Sequence, residues 1–433
     1  MSAISDVVSR LRQTFSSGVT KPLEWRRAQL TALKAMLQEQ ADDFLAALHA
    51  DLGKNAAEAR SAEITFVTNE IDHTLAHLDT WVAPESAPLP GYLLPGAGSV
   101  VREPLGVALV IGPWNYPLHL VLAPLVGVLA AGNAAVVKPS ELSPTVSAAI
   151  ARHVPSYLDT SAIAVVEGAI PETTELLEQR FDHIFYTGNG TVGRIVMTAA
   201  AKHLTPVVLE LGGKSPVVVD TDVDLRVTAE RIVYGKFMNA GQTCVAPDYV
   251  LAVGDTAERL ETLLAEVLRE RFGADPAQSP AYGRIVNTRH FDRLSGLLGS
   301  GRVVTGGTTD RDTKYIAPTV LADVAPDSPV MGEEIFGPIL PVLRVASLDE
   351  ALTFITDRDK PLALYAFTGS EKTKQRILAE TSSGAVGFGL PVAHLTAPDL
   401  PFGGVGESGT GRYHGKYSID TFSNLKAVLD KPL

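Results

Sequence analysis

A chain of 433 residues is too long for one ordinary hydrophobic core, so two or three domains are expected. It is 45% hydrophobic and 20% charged, and its net charge of −12 is spread over interspersed acids and bases, which leaves no basic cluster for nucleic acid and no polybasic segment for an anionic membrane. The single cysteine excludes an intramolecular disulfide and fits a reducing, cytoplasmic setting, while the absence of a cysteine pair or HExxH among ten scattered histidines predicts no metal site.

The segment from Met1 is polar, without a signal-peptide core. Residues 1 to about 81 read as helical: Val7, Val8, Leu11 and Phe15 recur at helical spacing, as do Leu30, Leu33, Leu37, Phe44 and Leu48. Pro22 suits the first turn of the second helix, and a third is predicted from Ala57 towards Trp81. Between 83 and 100, Pro84, Pro88, Pro90 and Pro95 alternate with Gly91, Gly96 and Gly98. That composition excludes a helix interior and predicts an extended arm or linker.

From Val101 the pattern becomes strand, loop, helix, strand. Val107–Ile111, Ala134–Val137, Ala162–Val166, His183–Tyr186 and Pro206–Leu209 read as strands, with helices over Leu118–Ala131, Thr145–His153 and Arg194–His203 between them. The apolar run Leu118–Ala131 is too short to span a bilayer. Strands alternating with helices predict a parallel α/β sheet, whose ligands sit at the carboxyl ends of the strands. Lys138, Glu141 and Gly188 fall at such ends. The rhythm restarts after Gly212, with strands at Pro216–Val219, Tyr249–Val253 and Pro341–Val345 and helices at 224–237, 256–272 and 347–357. The glycine-rich stretch 401–411 reads as a loop, and Thr421–Leu429 as a terminal strand.

Two stretches carry chemistry. Gly241-Gln242-Thr243-Cys244 holds the only thiol; small and polar neighbours would let a substrate approach it, although an inert buried cysteine is the other reading of this stretch alone. Gly188-Asn189-Gly190-Thr191-Val192-Gly193 is a G-x-G-x-x-G between a strand and a helix, with Glu210 about twenty residues on. That is a full dinucleotide fingerprint, with Glu210 on the ribose. Glu210 also opens Glu-Leu-Gly-Gly-Lys, so its side chain could face a reacting centre instead.

Taken in order, Gly112-Pro113-Trp114-Asn115-Tyr116-Pro117, Lys138-Pro139-Ser140-Glu141, Tyr186-Thr187-Gly188, Glu210-Leu211-Gly212-Gly213-Lys214, Gly241-Gln242-Thr243-Cys244, Glu333-Glu334-Ile335-Phe336-Gly337-Pro338 and Pro401-Phe402-Gly403-Gly404 resemble the aldehyde dehydrogenase superfamily over nearly the whole chain. Trp-Asn-Tyr-Pro, Cys-Val-Ala-Pro-Asp-Tyr and Tyr413-His414-Gly415-Lys416 look most like its class 3 branch, which acts on fatty and aromatic aldehydes. The resemblance implies a Rossmann-like dinucleotide-binding domain (1–81 and 101–210), an α/β catalytic domain (211–417), and a β oligomerisation arm (82–100 and 418–433) that pairs with a second subunit in a homodimer. The chain stops at Leu433 without the hydrophobic tail of membrane-anchored members, so no anchor is expected.

The resemblance also implies roles. Cys244 is the nucleophile, Glu210 the general base and Asn115 an oxyanion donor. Lys138 and Glu141 hold the adenosine ribose of NAD or NADP, and Gly188, Asn189 and Val192 lie along the pyrophosphate. Glu334 binds the nicotinamide ribose and Phe336 packs beside the nicotinamide. Asn189 departs from the serine of many relatives. The implied reaction is NAD(P)-dependent oxidation of an aldehyde to a carboxylic acid through a thiohemiacetal and a thioester. Acyl transfer to coenzyme A and a non-catalytic scaffold are competing functions; Glu210 argues against the first, and the set Cys244, Glu210, Asn115 against the second. Apolar residues near Tyr116, Phe237, Met238 and 390–400 predict an apolar aliphatic or aromatic substrate, and His414 is read as structural.

Overall fold

A computed structural model describes residues 3–433. Helices Ala3–Ser17, Leu23–Glu39 and Ala41–Leu52 form where amphipathic spacing predicts them. The third predicted helix begins as Ala56–Ala59, passes through a π-helical turn at Arg60–Thr65, and continues as Phe66–Val82.

The first sheet has six strands in the order Gly409–Thr410, Val207–Glu210, His183–Thr187, Val107–Ile111, Ala134–Lys138, Ile163–Val165. All neighbours are parallel except Gly409–Thr410, which runs antiparallel to Val207–Glu210. Val107–Ile111 and Ala134–Lys138 are buried at every position, which is why they read as unbroken apolar runs rather than as alternating ones. Helix His119–Ala131 is buried on all sides and ends at Gly132 in the left-handed conformation, a usual helix stop. This is a Rossmann-like arrangement.

The second sheet has seven strands in the order Arg302–Thr305, Thr319–Ala322, Ile339–Val345, Tyr249–Val253, Pro216–Val219, Ala363–Phe367, Ala385–Phe388. Only Arg302–Thr305 is antiparallel. A third sheet joins Glu85–Ala87, Ala97–Pro104 and Ser423–Asp430, with Ser423 opposite Pro104 and Asp430 opposite Ala97. The proline-rich segment is therefore extended, and its second strand runs past the expected end at 100.

Three differences from the sequence expectations bear on the site. The helix expected at Arg194–His203 starts at Gly190, because the Asn189 side chain caps it by accepting from the Val192 N–H. The stretch 401–411 is not all loop: Gly406–Ser408 is a 3-10 turn, and Gly409–Thr410 joins the first sheet beside Glu210 and Leu209. The chain thus returns to the first sheet before the expected boundary at 417. Helix Gly415–Thr421 then packs on His119–Ala131, and the terminal strand starts at Ser423 rather than Thr421.

Among the described residues no helix is long and apolar enough to cross a membrane.

Candidate active site

Sheet register brings four strand ends together. Lys138 lies opposite Ile111, and Glu210 opposite Thr187, so all four strands finish along one edge. There the buried Lys138 donates to Glu141 Oε2 at 2.9 Å, and the Glu141 carboxylate stands in solvent. Gly188 follows directly; a Cβ at this position would fall 2.2 Å from the Tyr186 hydroxyl, so the turn needs glycine for closeness. Beyond it the N-terminus of helix Gly190–Ala201 opens on a cavity of about 760 Å³, bounded by Asn189, Thr191, Gly212, Glu334, Arg358 and Lys360. Both large sheets contribute walls. A helix N-terminus at a strand–helix turn is a ready place for a diphosphate. Asn189, expected beside that diphosphate, uses its side-chain oxygen on the Val192 N–H at 3.0 Å.

The crevice therefore fits a dinucleotide: a tight glycine turn, a helix start, a lysine–glutamate pair at the neighbouring strand end, and walls kept low by Gly212. A Cβ on Gly212 would meet Glu334 Oε2 at 2.0 Å, so this glycine lets the carboxyl lie flat against the backbone. Phe336, whose φ is +49°, meets the Trp114 ring edge-on at 5.3 Å.

Cys244 and Asn115 come from loops 127 or more residues apart, yet they are tied together. Asn115 Nδ2 donates to the Gln242 carbonyl at 3.0 Å, and the hydroxyls of Tyr116 and Thr243 share a hydrogen bond of 2.8 Å. Gln242 braces the other side, its amide donating to the carbonyls of Asn239 and Arg284 and accepting from the Val286 N–H. Asn239 and Ala240 take left-handed backbone conformations to turn the chain, and Asn239 Nδ2 donates to the Asn115 carbonyl at 2.8 Å. On the far side the Tyr365 hydroxyl donates to the Val245 carbonyl at 2.7 Å.

Under the Asn115 loop lies a pair that sequence reasoning missed. Lys54 and Glu63 are wholly buried and form an ion pair. Lys54 Nζ also donates to the Asn115 carbonyl at 2.8 Å and lies 3.9 Å from the centre of the Tyr116 ring. Glu63 Oε2 accepts from the backbone N–H groups of Leu118 and His119, both at 3.0 Å. Two charges thus pin the loop that carries Asn115. In sequence Glu63 is an ordinary charge on a predicted helix and Lys54 one shortly before it, with no spacing signal.

Burial raises the Cys244 thiol, and the carboxyls of Glu334 and then Glu210 raise it further. Against this, the backbone N–H groups of Cys244 and Val245 favour the thiolate. Glu210 is 2% exposed, and neither carboxyl oxygen has a hydrogen-bond partner. Burial holds it well above the usual carboxylate range, with the Arg412 guanidinium opposing weakly. Glu334 is raised to about 8 by burial and by Asp248, against a hydrogen bond from the Gly213 backbone. Two carboxyls therefore act on one thiol, and Glu334 acts more strongly than its expected ribose role suggests. Lys236, on the helix before the loop, is also fully buried; burial brings its ammonium down to about 8. Among the described residues no group of three or more His, Cys, Asp or Glu is placed to hold a metal.

Comparison with known proteins follows the same lines. The model of the aldehyde dehydrogenase family matches residues 2–428. The rat protein "aldehyde dehydrogenase, dimeric NADP-preferring" is 51% identical over 433 residues, covering 100% of this chain and 96% of that protein. The mouse "aldehyde dehydrogenase family 3 member A2" is 52% identical over 426 residues, covering 98% and 88%. Among solved structures, a substrate-bound AldH of Staphylococcus aureus superposes with a TM-score of 0.98 at 46% identity, covering 100% of this chain and 95% of that one. A Mycobacterium tuberculosis aldehyde dehydrogenase complexed with NAD+ gives 0.88 at 28% identity, covering 100% and 91%.

Proposed function

The chain belongs to the aldehyde dehydrogenase family, and from that premise we propose that Cys244, Asn115 and Glu210 carry out its NAD(P)-dependent oxidation of an aldehyde to a carboxylic acid. The observation that supports this reading most directly is the joining of the Asn115 and Cys244 loops through Asn115 Nδ2 to the Gln242 carbonyl and Tyr116 to Thr243. Two loops so far apart in sequence are braced as one rigid platform, which is what a preorganised reaction centre requires.

The Cys244 thiolate attacks the aldehyde carbon, forming a C–S bond and an alkoxide. The Cys244 backbone N–H and an Asn115 amide hydrogen hold that oxygen, each such donor contributing roughly 10²–10³ in rate. A nicotinamide held in the crevice would supply the acceptor for the hydride that leaves that carbon. Collapse of the alkoxide restores C=O and leaves the thioester on Cys244. Glu210, in its ionised form, takes a proton from water, whose oxygen adds to the thioester carbon; the C–S bond breaks and the acid leaves. Lys138 and Glu141 would hold the adenosine ribose, Gly188, Asn189 and Val192 the diphosphate turn, and Glu334 and Phe336 the nicotinamide end.

The arm suits a homodimer, the state named for the rat relative. Its terminal strand Ser423–Asp430 is a sheet edge with Leu425 and Leu429 more than half exposed. A cytoplasmic, reducing setting belongs to the same reading, because the mechanism needs its one cysteine as a free thiol. The test is absorbance of reduced nicotinamide with an aldehyde panel, with and without coenzyme A. Cys244→Ser should fold and be inactive, and one equivalent of iodoacetamide should inactivate the wild type unless aldehyde is present. Full activity after alkylation would overturn the assignment.

A further inference from the structure

To take a proton from water, Glu210 must be a carboxylate, yet it is buried with both oxygens unpartnered, an environment that favours the neutral form. The strands on either side do not relieve this: Thr187 and Gly409 stand opposite Glu210, and neither carries a charge. Most titratable groups around it are acids. Burial, then neighbouring carboxylates including Glu210, raises both the Cys244 thiol and the Tyr413 hydroxyl, and Glu334 acts on Cys244 from the other side of the crevice. The buried Lys236 interacts with Asp248, Lys214 and Glu334 instead.

The cation whose field reaches Glu210, against the larger effect of burial, is Arg412. It stands at the base of the turn that covers the carboxyl. Gly409 of this turn pairs with Glu210, and the Leu211 N–H donates to the Ser408 carbonyl at 3.2 Å. At the base Phe402 and Tyr413 exchange backbone hydrogen bonds of 3.0 and 2.9 Å. Arg412 Nη1 donates to the carbonyls of Gly404 and Gly411 and ties the turn together there. A Cβ on Gly403 would fall 2.9 Å from Arg412 Cδ and 3.0 Å from Nη1, so glycine gives the side chain its path. The acids nearest in the chain are engaged elsewhere: Glu407 pairs with Arg194, and Asp420 with Arg102 and Lys416. A half-buried charge held by carbonyls and neutralised by no acid keeps its field for the carboxyl enclosed beside it.

We propose that Arg412 is a positioning residue for the hydrolytic step: fixed across the base of the turn and without a counter-ion, it supplies the positive field under which the Glu210 carboxylate forms and takes a proton from the water whose oxygen adds to the thioester carbon. This rests on the roles proposed above for Cys244 and Glu210.

The test follows acid release by rapid quench across pH, in single turnovers of the full-length enzyme with saturating cofactor and a limiting aldehyde from the panel. Absorbance of reduced nicotinamide in the same samples reports the preceding hydride step. Gln at 412 keeps N–H donors for the two carbonyls without the charge, Lys keeps the charge, and Met keeps neither. In R412Q the limb on which acid release rises with pH should move up by about half a pH unit or more, which is about threefold slower release below it, with the plateau above it near wild type. R412M should move the limb the same way, and whichever neutral variant folds is compared with R412K, whose limb should stay near the wild-type position. A purely structural brace lowers the plateau and leaves the limb in place; that result in the neutral variants overturns the proposal, as does a limb displaced equally in R412K. A limb that persists in E210Q belongs to another group and overturns the base assignment together with this proposal, whereas a limb lost in E210Q yet unmoved in R412Q overturns this proposal alone.

Discussion

Glu210→Gln separates two chemistries that one glutamate could serve. Both Glu210 carboxyl oxygens are enclosed and unpartnered, so the amide breaks no hydrogen bond. Folding stability near neutral pH should rise in the variant, because the wild-type carboxyl, held well above its unfolded-state value, loses stability as pH climbs past the ordinary carboxylate range and the amide does not titrate. Gln cannot take a proton from water, so steady-state turnover should fall by roughly 10²–10⁴, about 2.7–5.5 kcal/mol of barrier. Stopped-flow absorbance should show a burst of up to about one reduced nicotinamide per site, then slow turnover as the thioester accumulates. Because burial holds the carboxyl well above the usual range, wild-type hydrolysis should rise with pH through a limb well above that of an ordinary carboxylate, and this limb should vanish in E210Q. Normal saturating turnover with only a raised cofactor dissociation constant would refute the reasoning and return Glu210 to the ribose. If Glu334→Gln alone gave the burst and the slow phase, the base would be Glu334, whose carboxyl acts on the thiol more strongly.

Lys54→Met leaves Glu63 charged and buried, so urea denaturation should report a loss of about 3–5 kcal/mol. Turnover should fall too as the Asn115 loop loosens, and K54M/E63Q should recover part of the stability; an unchanged midpoint in K54M would show the pair to be dispensable. Glu70 is buried, accepts from the Gly415 N–H at 2.7 Å, and is raised to about 7 by burial, against that bond. Its pKa is higher folded than unfolded, so its contribution is full below the ordinary carboxylate pKa and is lost as pH rises through about 7. Over that window stability should shift by about 3 kcal/mol in favour of Glu70→Gln relative to wild type, and parallel melting curves across the range would contradict this. Leu425→Lys with Leu429→Lys should convert a dimer to a folded monomer by light scattering at micromolar concentration; a wild type already monomeric there would dismiss the arm interface.

The candidate active site divides what each level decides. Residue types and local periodicity were sufficient for Val107–Ile111, Pro216–Val219, Tyr249–Val253 and the helix Thr256–Phe272, because β-branched runs and amphipathic spacing act within a few residues. The order of the motifs likewise pointed to the family and to Cys244, Asn115 and Glu210 as candidates. Element ends were less legible: the helix Pro144–Tyr157 runs through Pro155, past the expected end at His153, and helix Gly190–Ala201 starts before the expected Arg194 because the Asn189 side chain caps it.

Only the tertiary structure determined which polar groups are left without water. Glu210 sits at a spacing that suits a ribose, but the return of Gly409–Thr410 to the first sheet and the packing around it enclose the carboxyl, and that burial holds it well above the usual carboxylate range. Lys54 and Glu63 read as ordinary charges until the fold buries them under Asn115. The physical reason is that hydrophobic spacing and turn chemistry are properties of neighbouring residues, whereas desolvation, and with it charge state and hydrogen-bond need, is set by everything that packs around an atom from the rest of the chain.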